Sequence, residues 1–181
     1  AGEFSASRRV LQPGIPRALR ALGKVDSLLD LGCGDGRVLG AFLSSAITGR
    51  CLGIDSSSAL LSLATKAASD RATFICDDIA IASWSCPIRR RFDAAICFSV
   101  LHHIPGARRR LRLLRELYSL LRPGALCALS VWRFRHVPRL MRKTIDWEEV
   151  GLDASEVDVG DYLLDWQRGG RGLRYVHHFD E

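Results

Sequence analysis

The stretch Leu28-Leu29-Asp30-Leu31-Gly32-Cys33-Gly34-Asp35-Gly36-Arg37 decides the fold. It reads as an apolar strand, then three alternating glycines, then the start of a helix. Glycine there lets the backbone turn sharply and lets a ligand approach with no Cβ in the way. The helix N-terminus that follows favours a negative group. Dinucleotide-binding folds use a similar turn, with glycines spaced G-x-G-x-x-G. Here the spacing is G-x-G-x-G, with Asp30 two residues before the first glycine. A carboxylate in that place does nothing for a pyrophosphate and suits a cationic, amino-bearing ligand. The plain alternative is a tight structural turn between strand and helix.

Working outward, apolar runs alternate with amphipathic helical patterns, the signature of βα units on a parallel sheet. Five runs read as strands: Ser27–Leu31, Cys51–Asp55, Thr73–Cys76, Phe92–Ser99 and Ala125–Trp132. Each is short and nearly continuous in apolar residues, as a strand buried on both faces must be. Helices are predicted over Pro16–Leu22, Arg37–Ala46, Ser58–Ala68 and Ala107–Leu121. The third has Ser56, Ser57 or Ser58 as its N-cap. The last turns Leu111, Leu114, Leu117 and Leu121 inward and its arginines outward, and Pro123-Gly124 stops it. Right-handed crossovers then leave one architecture: an α/β, doubly wound, mainly parallel Rossmann-like sheet with helices on both faces. Its ligand crevice lies at the carboxyl ends of the strands. Residues 1–181 make a single domain, in which 133–173, first basic and then acidic, is expected to be an insertion or lid near the acceptor site. The extended segment Arg174–Phe179 follows, and the chain then stops abruptly for this architecture.

Three further elements fall at predicted strand ends. Asp55, in Gly53-Ile54-Asp55-Ser56, stands 23 residues after Gly32. There a carboxylate can accept both hydroxyls of a ribose, which supports a nucleoside-containing ligand without choosing one. In Cys76-Asp77-Asp78-Ile79 an acid can accept from an adenine amino group while Ile79 packs on the ring; a capping acid is the bland reading. Cys97-Phe98-Ser99-Val100-Leu101-His102-His103 leaves the fourth strand at the expected crevice.

Composition narrows the classes. The chain has 181 residues, 48% hydrophobic and 25% charged, which fits one globular domain and argues against disorder. No run approaches the length of a membrane span. The start, Ala1-Gly2-Glu3-Phe4, carries no basic-then-apolar leader pattern, so secretion is not expected. The six cysteines never form C-x-x-C, and no histidine stands at zinc-ligand spacing from them, so no metal site is expected. A reduced, cytoplasmic protein is the reading. The net charge of +6 is uneven: residues 86–122 hold nine arginines against Asp93 and Glu116, and 144–165 hold eight acids and no base. Such asymmetry can mark a nucleic-acid partner. Solvated helix faces plus an internal basic–acidic contact explain it equally, and for most arginines of the Ala107–Leu121 helix a solvated face is the better reading.

Taken in order, D-x-G-C-G-x-G, G-I-D, C-D-D-I, S-V-L-H-H-I-P and L-R-P-G-A-L resemble the class I S-adenosylmethionine-dependent methyltransferases over residues 28–133. The resemblance implies S-adenosyl-L-methionine as cofactor, with Asp30, Gly32, Cys33, Gly34 and Gly36 around its methionine part. It implies Asp55 and Ser56 at the ribose, Asp78 and Ile79 at the adenine, and Phe98 and Ser99 beneath the sulfonium. Ala125 departs from the family's second glycine, which concerns the turn only. The tail Arg174-Tyr175-Val176-His177-His178-Phe179, after Asp161-Tyr162-Leu163-Leu164-Asp165-Trp166, is similar to the tRNA wobble-uridine carboxyl methyltransferases and their bacterial relatives, with Val176 in place of an aromatic residue. In that family a helix and two closing strands follow, so the resemblance implies that the C-terminal strands of the usual seven-stranded sheet are missing.

On that reading a carboxylate acceptor needs no base and is oriented by a cation such as Arg174. An amine or hydroxyl acceptor makes His103 or His177 useful as a base, because histidine can be neutral near pH 7. Structural roles for the His102-His103 and His177-His178 pairs stand beside this. Three function classes stay open: a methyltransferase acting on tRNA or on a small carboxylate or metabolite, a non-catalytic cofactor-binding protein, and a dinucleotide-dependent oxidoreductase. The sequence does not name the acceptor or a partner subunit.

Overall fold

The computed structural model describes residues 11–44, 47–81, 84–166 and 172–180. Positions 45 and 46 of the helix expected over Arg37–Ala46, the opening Ala1–Phe4, and 167–171 of the expected 133–173 insertion lie outside the described residues. In chain order the elements are α1 (Gly14–Leu22), β1 (Val25–Leu31), α2 (Arg37–Leu43), β2 (Ile47–Asp55), α3 (Ser58–Ala67), β3 (Ala72–Cys76), β4 (Phe92–Phe98), α4 (Ala107–Ser119), β5 (Leu121–Ser130), α5 (Pro138–Met141), β6 (Thr144–Ile145), β7 (Asp161–Trp166) and β8 (Gly172–His177). Short 3₁₀ turns at Leu101–His103, Phe134–His136, Trp147–Val150 and Ala154–Glu156 fill the connections. None of the described helices is long and apolar enough to cross a membrane.

Two compact units result. The first takes the described residues up to Phe98 together with Leu113–Leu129. Its five strands run in the order β3-β2-β1-β4-β5, the mostly parallel, doubly wound sheet that the apolar runs predicted. β1 sits at the centre, parallel to β2 on one side and β4 on the other. Leu28, Leu29 and Leu31 are all fully buried, which is why this strand carries no polar alternation. Leu19 and Leu22 of α1, Leu39 and Phe42 of α2 and Leu61 of α3 close over the sheet with Leu28, Ala94 and Ile96. Of the three candidate serines, Ser57 is the N-cap of α3, its Oγ accepting from the Leu60 N–H at 3.3 Å.

Two expectations for the last helix are corrected. α4 ends at Ser119, and Pro123-Gly124 lies inside β5 rather than stopping a helix. Proline is tolerated there because β5 is an end strand of the sheet, where an absent N–H breaks no ladder. The buried stripe of α4 is also rotated: Leu113 and Leu117 are buried, whereas Leu111 is 48% exposed. Arg110 belongs to that stripe and is itself buried, not on the solvated face.

The second unit takes Ser99–Arg112 and the residues from Ser130 onward. It contains a three-stranded antiparallel sheet, β6-β7-β8. Phe134, Leu164 and Val176 form its buried core, with Trp132, Leu140, Met141 and Tyr162 packed against them.

Candidate active site

In the first unit the turn after β1 is built from backbone. Gly32, Gly34 and Gly36 all have positive φ, at 70°, 57° and 73°. Gly32 and Cys33 N–H groups both donate to the Ile54 carbonyl, at 2.7 and 3.1 Å, which stitches the turn to the end of β2. Gly36 is the N-cap of α2 in the left-handed conformation, so the helix can start only where glycine stands. A Cβ on Gly34 would meet nothing within 4 Å, so this glycine borders open space. A Cβ on Gly53 would lie 2.8 Å from both Cys33 Sγ and the Phe74 ring, which fixes how closely β2 approaches the turn.

Two carboxylates frame this turn, and their states differ. Asp55 at the end of β2 accepts the Gly34 N–H on Oδ2 and the Ser57 N–H on Oδ1, each at 2.9 Å. It therefore ties the glycine turn to the start of α3 while each oxygen keeps a further lone pair. Asp30 lies one residue before the end of β1, is 3% exposed, and its Oδ2 has no hydrogen-bond partner among the described residues. Burial first, and the neighbouring Asp55 charge second, push its carboxyl well above the usual range. An orphaned buried carboxyl is costly unless a cation meets it, so Asp30 is suited to a cationic group. Cys33 lies beside them, but burial pushes its thiol up, with Asp30 and Asp55 adding to the effect, so it is a packing group and not a nucleophile.

The other predicted cofactor residues of this unit are also placed. Ser56 is exposed directly after Asp55. Asp78 is exposed and accepts the Ala80 N–H at 2.8 Å in a local turn from which no described helix starts, so it is not the helix cap of the bland reading, while Ile79 beside it is buried. Phe98, at the end of β4, packs against the core cluster.

The second unit holds Ser99, His103, Arg174 and His177. Ser99 is the one described non-glycine residue with positive φ, 58°, and its N–H is held by Ser130 Oγ at 3.0 Å and Ser130 O at 3.2 Å. His102 is fully buried and stacked on Trp132, centroids 4.6 Å apart, as its structural reading has it. His103 places Nδ1 3.0 Å from the Tyr175 carbonyl. A carbonyl only accepts, so Nδ1 carries the proton and the neutral ring has its lone pair on Nε2. On β8, alternation puts Arg174 on the face of buried Val176, whereas Tyr175 and His177 share the opposite face with Asp161 and Leu163 of β7. The sheet thus separates Arg174 from His177.

Sequence reasoning missed the network that surrounds His177. Asp161 Oδ1 accepts from the Tyr175 hydroxyl at 2.6 Å and lies 2.7 Å from His177 Nδ1. Arg110 donates to the Tyr175 hydroxyl at 3.2 Å, to the Ile104 carbonyl at 3.1 Å and to Asp158 at 3.4 Å. Burial, together with its bond to Asp161, pushes the Tyr175 hydroxyl up, so it stays protonated and donates. The Arg110–Asp158 pair is an internal contact between the basic and the acidic stretches. One signal was available: Arg110 stands three and seven positions before Leu113 and Leu117, on the apolar stripe of the helix, where an arginine needs buried partners.

The fold and this site define a class: a Rossmann-like domain that holds S-adenosylmethionine for methyl transfer. Residues 28–124, more than half of the chain, match the family described as Methyltransferase domain. The chain belongs to that family and is an S-adenosylmethionine-dependent methyltransferase domain. It is 34% identical over 133 residues to tRNA (carboxymethyluridine(34)-5-O)-methyltransferase ALKBH8 of Macaca fascicularis, a match covering 73% of this chain and 18% of that protein. It is 30% identical over 133 residues to tRNA (carboxymethyluridine(34)-5-O)-methyltransferase of Arabidopsis thaliana, covering 73% and 30% respectively. The chain therefore spans less than a third of the length of either relative. A solved DhpI–SAH complex shares the fold, with a TM-score of 0.62 at 19% identity over 93% of this chain and 68% of that one.

Proposed function

We propose that this domain transfers a methyl group to the carboxylate of a carboxymethylated wobble uridine in tRNA, giving the methyl ester. The observation that carries the cofactor half is the orphaned Asp30 carboxyl beside three positive-φ glycines. The acceptor half is supported by the likeness to relatives that bear that activity in their names. Bound S-adenosylmethionine supplies a methyl group already activated on a sulfonium. Asp30 would hold the amino group of its methionine part and Asp55 its ribose hydroxyls. Gly32, Gly34 and Gly36 leave room for its close approach, with Cys33 packed behind them. Ser56, Asp78 and Ile79 serve the nucleoside, and Phe98 and Ser99 the sulfonium side.

A carboxylate acceptor forms its O–C bond as the S–C bond breaks, with the electron pair staying on sulfur. No proton has to move, so the protein's task is orientation and exclusion of water. His103 and His177 are assigned to the acceptor group. Arg174, on the other face of β8, is assigned to phosphate rather than to the reacting carboxylate. Residues 133–173 are read as the segment that shapes the acceptor site. The free cysteines support a reducing, cytoplasmic setting.

The test is transfer of a labelled methyl group from S-adenosylmethionine, with total tRNA and a metabolite extract offered side by side. Ribonuclease-sensitive label that alkali releases as volatile methanol is the expected result, because a methyl ester hydrolyses where N-methyl and C-methyl groups do not. Label confined to the metabolite fraction overturns the tRNA acceptor, and alkali-stable label in RNA overturns the carboxylate.

A further inference from the structure

We propose that Asp161 is a positioning residue for His177, holding the imidazole in the Nδ1–H form so that the Nε2 lone pair accepts a hydrogen bond from a donor of the acceptor nucleoside, a ring N–H or a ribose hydroxyl, and not from the reacting carboxylate, which has no proton to give. The proposal rests on the reading of His177 as an acceptor-side residue, and it adds a residue that neither the turn nor the tail motif names.

The argument begins with donors and acceptors. Asp161 is tied by three groups: the Tyr175 hydroxyl at 2.6 Å and His177 Nδ1 at 2.7 Å, both on Oδ1, and the Asp158 N–H at 3.2 Å on Oδ2. The Tyr175 hydroxyl is itself fixed as a donor to Asp161, because Arg110 has only protons to offer and donates to the hydroxyl oxygen from its other side. The hydroxyl and the amide thus occupy Asp161 as an acceptor. An ionised carboxylate cannot donate, so the ring nitrogen facing it must carry the hydrogen. In the neutral ring the lone pair is then on Nε2, and among the described residues no polar group meets that atom.

Packing fixes the plane of the ring as well as its tautomer. The Phe179 ring stands edge-on to it, centroids 4.8 Å apart at 84°. Gly160, with φ of 94°, lies on another side, and a Cβ there would come within 3.3 Å of His177 Cε1. The side chains of His177 and Asp161 are 13% and 5% exposed, so water does not compete strongly for the bond between them. Three constraints therefore converge on this ring, and all of them leave Nε2 unengaged. A histidine that only filled space would not need its tautomer set by a carboxylate that is itself held by the Tyr175 hydroxyl and the Asp158 N–H. The charged and titratable groups of this cluster are Asp161 on β7, Asp158 before it, Tyr175 on β8 itself and Arg110 on α4.

The experiment uses the full chain with S-adenosylhomocysteine bound, its histidines labelled with ¹⁵N, compared as wild type, Asp161→Asn and Tyr175→Phe. The expected wild-type signature is a protonated Nδ1 and an unprotonated Nε2 for the neutral His177 ring. Asp161→Asn loses or mixes that signature, whereas Tyr175→Phe, which leaves the carboxylate in place, retains it. With tRNA carrying the free, unesterified carboxymethyl uridine as acceptor, Asp161→Asn lowers kcat/KM at least tenfold while S-adenosylhomocysteine affinity stays within twofold, and Asp161→Glu restores part of the loss. An Nε2–H ring in the wild type overturns the proposal, and so does an unchanged kcat/KM in Asp161→Asn. A wild-type protein that labels no tRNA overturns the acceptor assignment instead. In that event the ring signature alone decides on Asp161: retention in Asp161→Asn sinks its role, and loss upholds it.

Discussion

The turn after β1 and the β7–β8 pair are held together by opposite means. The turn is made of backbone: glycine φ angles, N–H groups on the Ile54 carbonyl, and Asp55 gathering two further N–H groups. It leaves one buried carboxyl, Asp30, without a partner. The β7–β8 pair is made of side chains, in which Arg110, Asp158, Asp161, Tyr175 and His177 bond one another. A backbone site has a fixed shape and suits a ligand that never changes. A side-chain network can be rewritten by single substitutions. Unsatisfied on one side and satisfied on the other, the two regions should respond to mutation in opposite ways.

The sharpest contrast is expected at the two aspartates of the turn. Asp55→Ala removes the proposed ribose acceptor together with both backbone anchors. Hydrogen bonds to a charged group are worth roughly 1.5–3 kcal/mol each, so two ribose contacts imply at least about a hundredfold loss of S-adenosylhomocysteine affinity by calorimetry. Unchanged affinity would sink the ribose assignment. Asp30→Asn should weaken the same ligand by about 10–100-fold, one such contact, while raising the melting temperature of the ligand-free protein. Its sign follows from linkage. A carboxyl raised on folding binds more protons folded than unfolded, so its contribution is full below the ordinary carboxylate pKa of about 4 and is lost as pH rises through the folded value. Thermal melts against pH should show that loss in the wild type and not in Asp30→Asn. Ligand affinity should move the other way, growing with pH, because the ammonium needs the ionised form. An Asp30→Asn protein that loses affinity and stability together would break the comparison.

Gly53→Ala tests shape rather than charge. Its Cβ would sit 2.8 Å from Cys33 Sγ and from Phe74, and overpacking of that kind costs about 1–3 kcal/mol. Denaturant melts and ligand affinity should both fall, since the turn itself must shift. Tyr175→Phe, in the side-chain region, removes one donor to Asp161 and one acceptor for Arg110 and should lower stability by about 1–2 kcal/mol. S-adenosylhomocysteine affinity should stay within twofold; a larger loss would show that the two regions are not independent. Last, Arg109→Ala with Arg115→Ala, both exposed on α4, should change stability by no more than about 0.5 kcal/mol. The same pair should flatten the salt dependence of tRNA affinity if these side chains meet phosphate.

Much of the first unit was legible in the sequence because its information is local. Strands buried on both faces leave unbroken apolar runs, and a ligand-binding turn needs glycines at spacings set by a few bonds, so Asp30, Gly32, Gly34 and Gly36 could be named from ten consecutive residues. The strand end at Asp55 was legible too, and the helix cap was narrowed to Ser56, Ser57 or Ser58, from which the structure chose Ser57. The face of α4 was not: its leucines at 111, 113, 114 and 117 fit more than one stripe, and packing chose the one that carries Arg110. The network around His177 was equally hidden. Its members lie at positions 110, 158, 161, 175 and 177, and only the pairing of Asp161 with His177 across the antiparallel strands brings their side chains onto one face. The opposition of Arg174 and His177 has the same origin, since period-two alternation assigns faces only once the strand and its partner are known. Sequence alone determined the glycine turn, whose conformation is set within one short segment. Tertiary structure alone decided which charges meet around β7 and β8, because a hydrogen bond between distant side chains depends on register, and register is a property of the folded sheet.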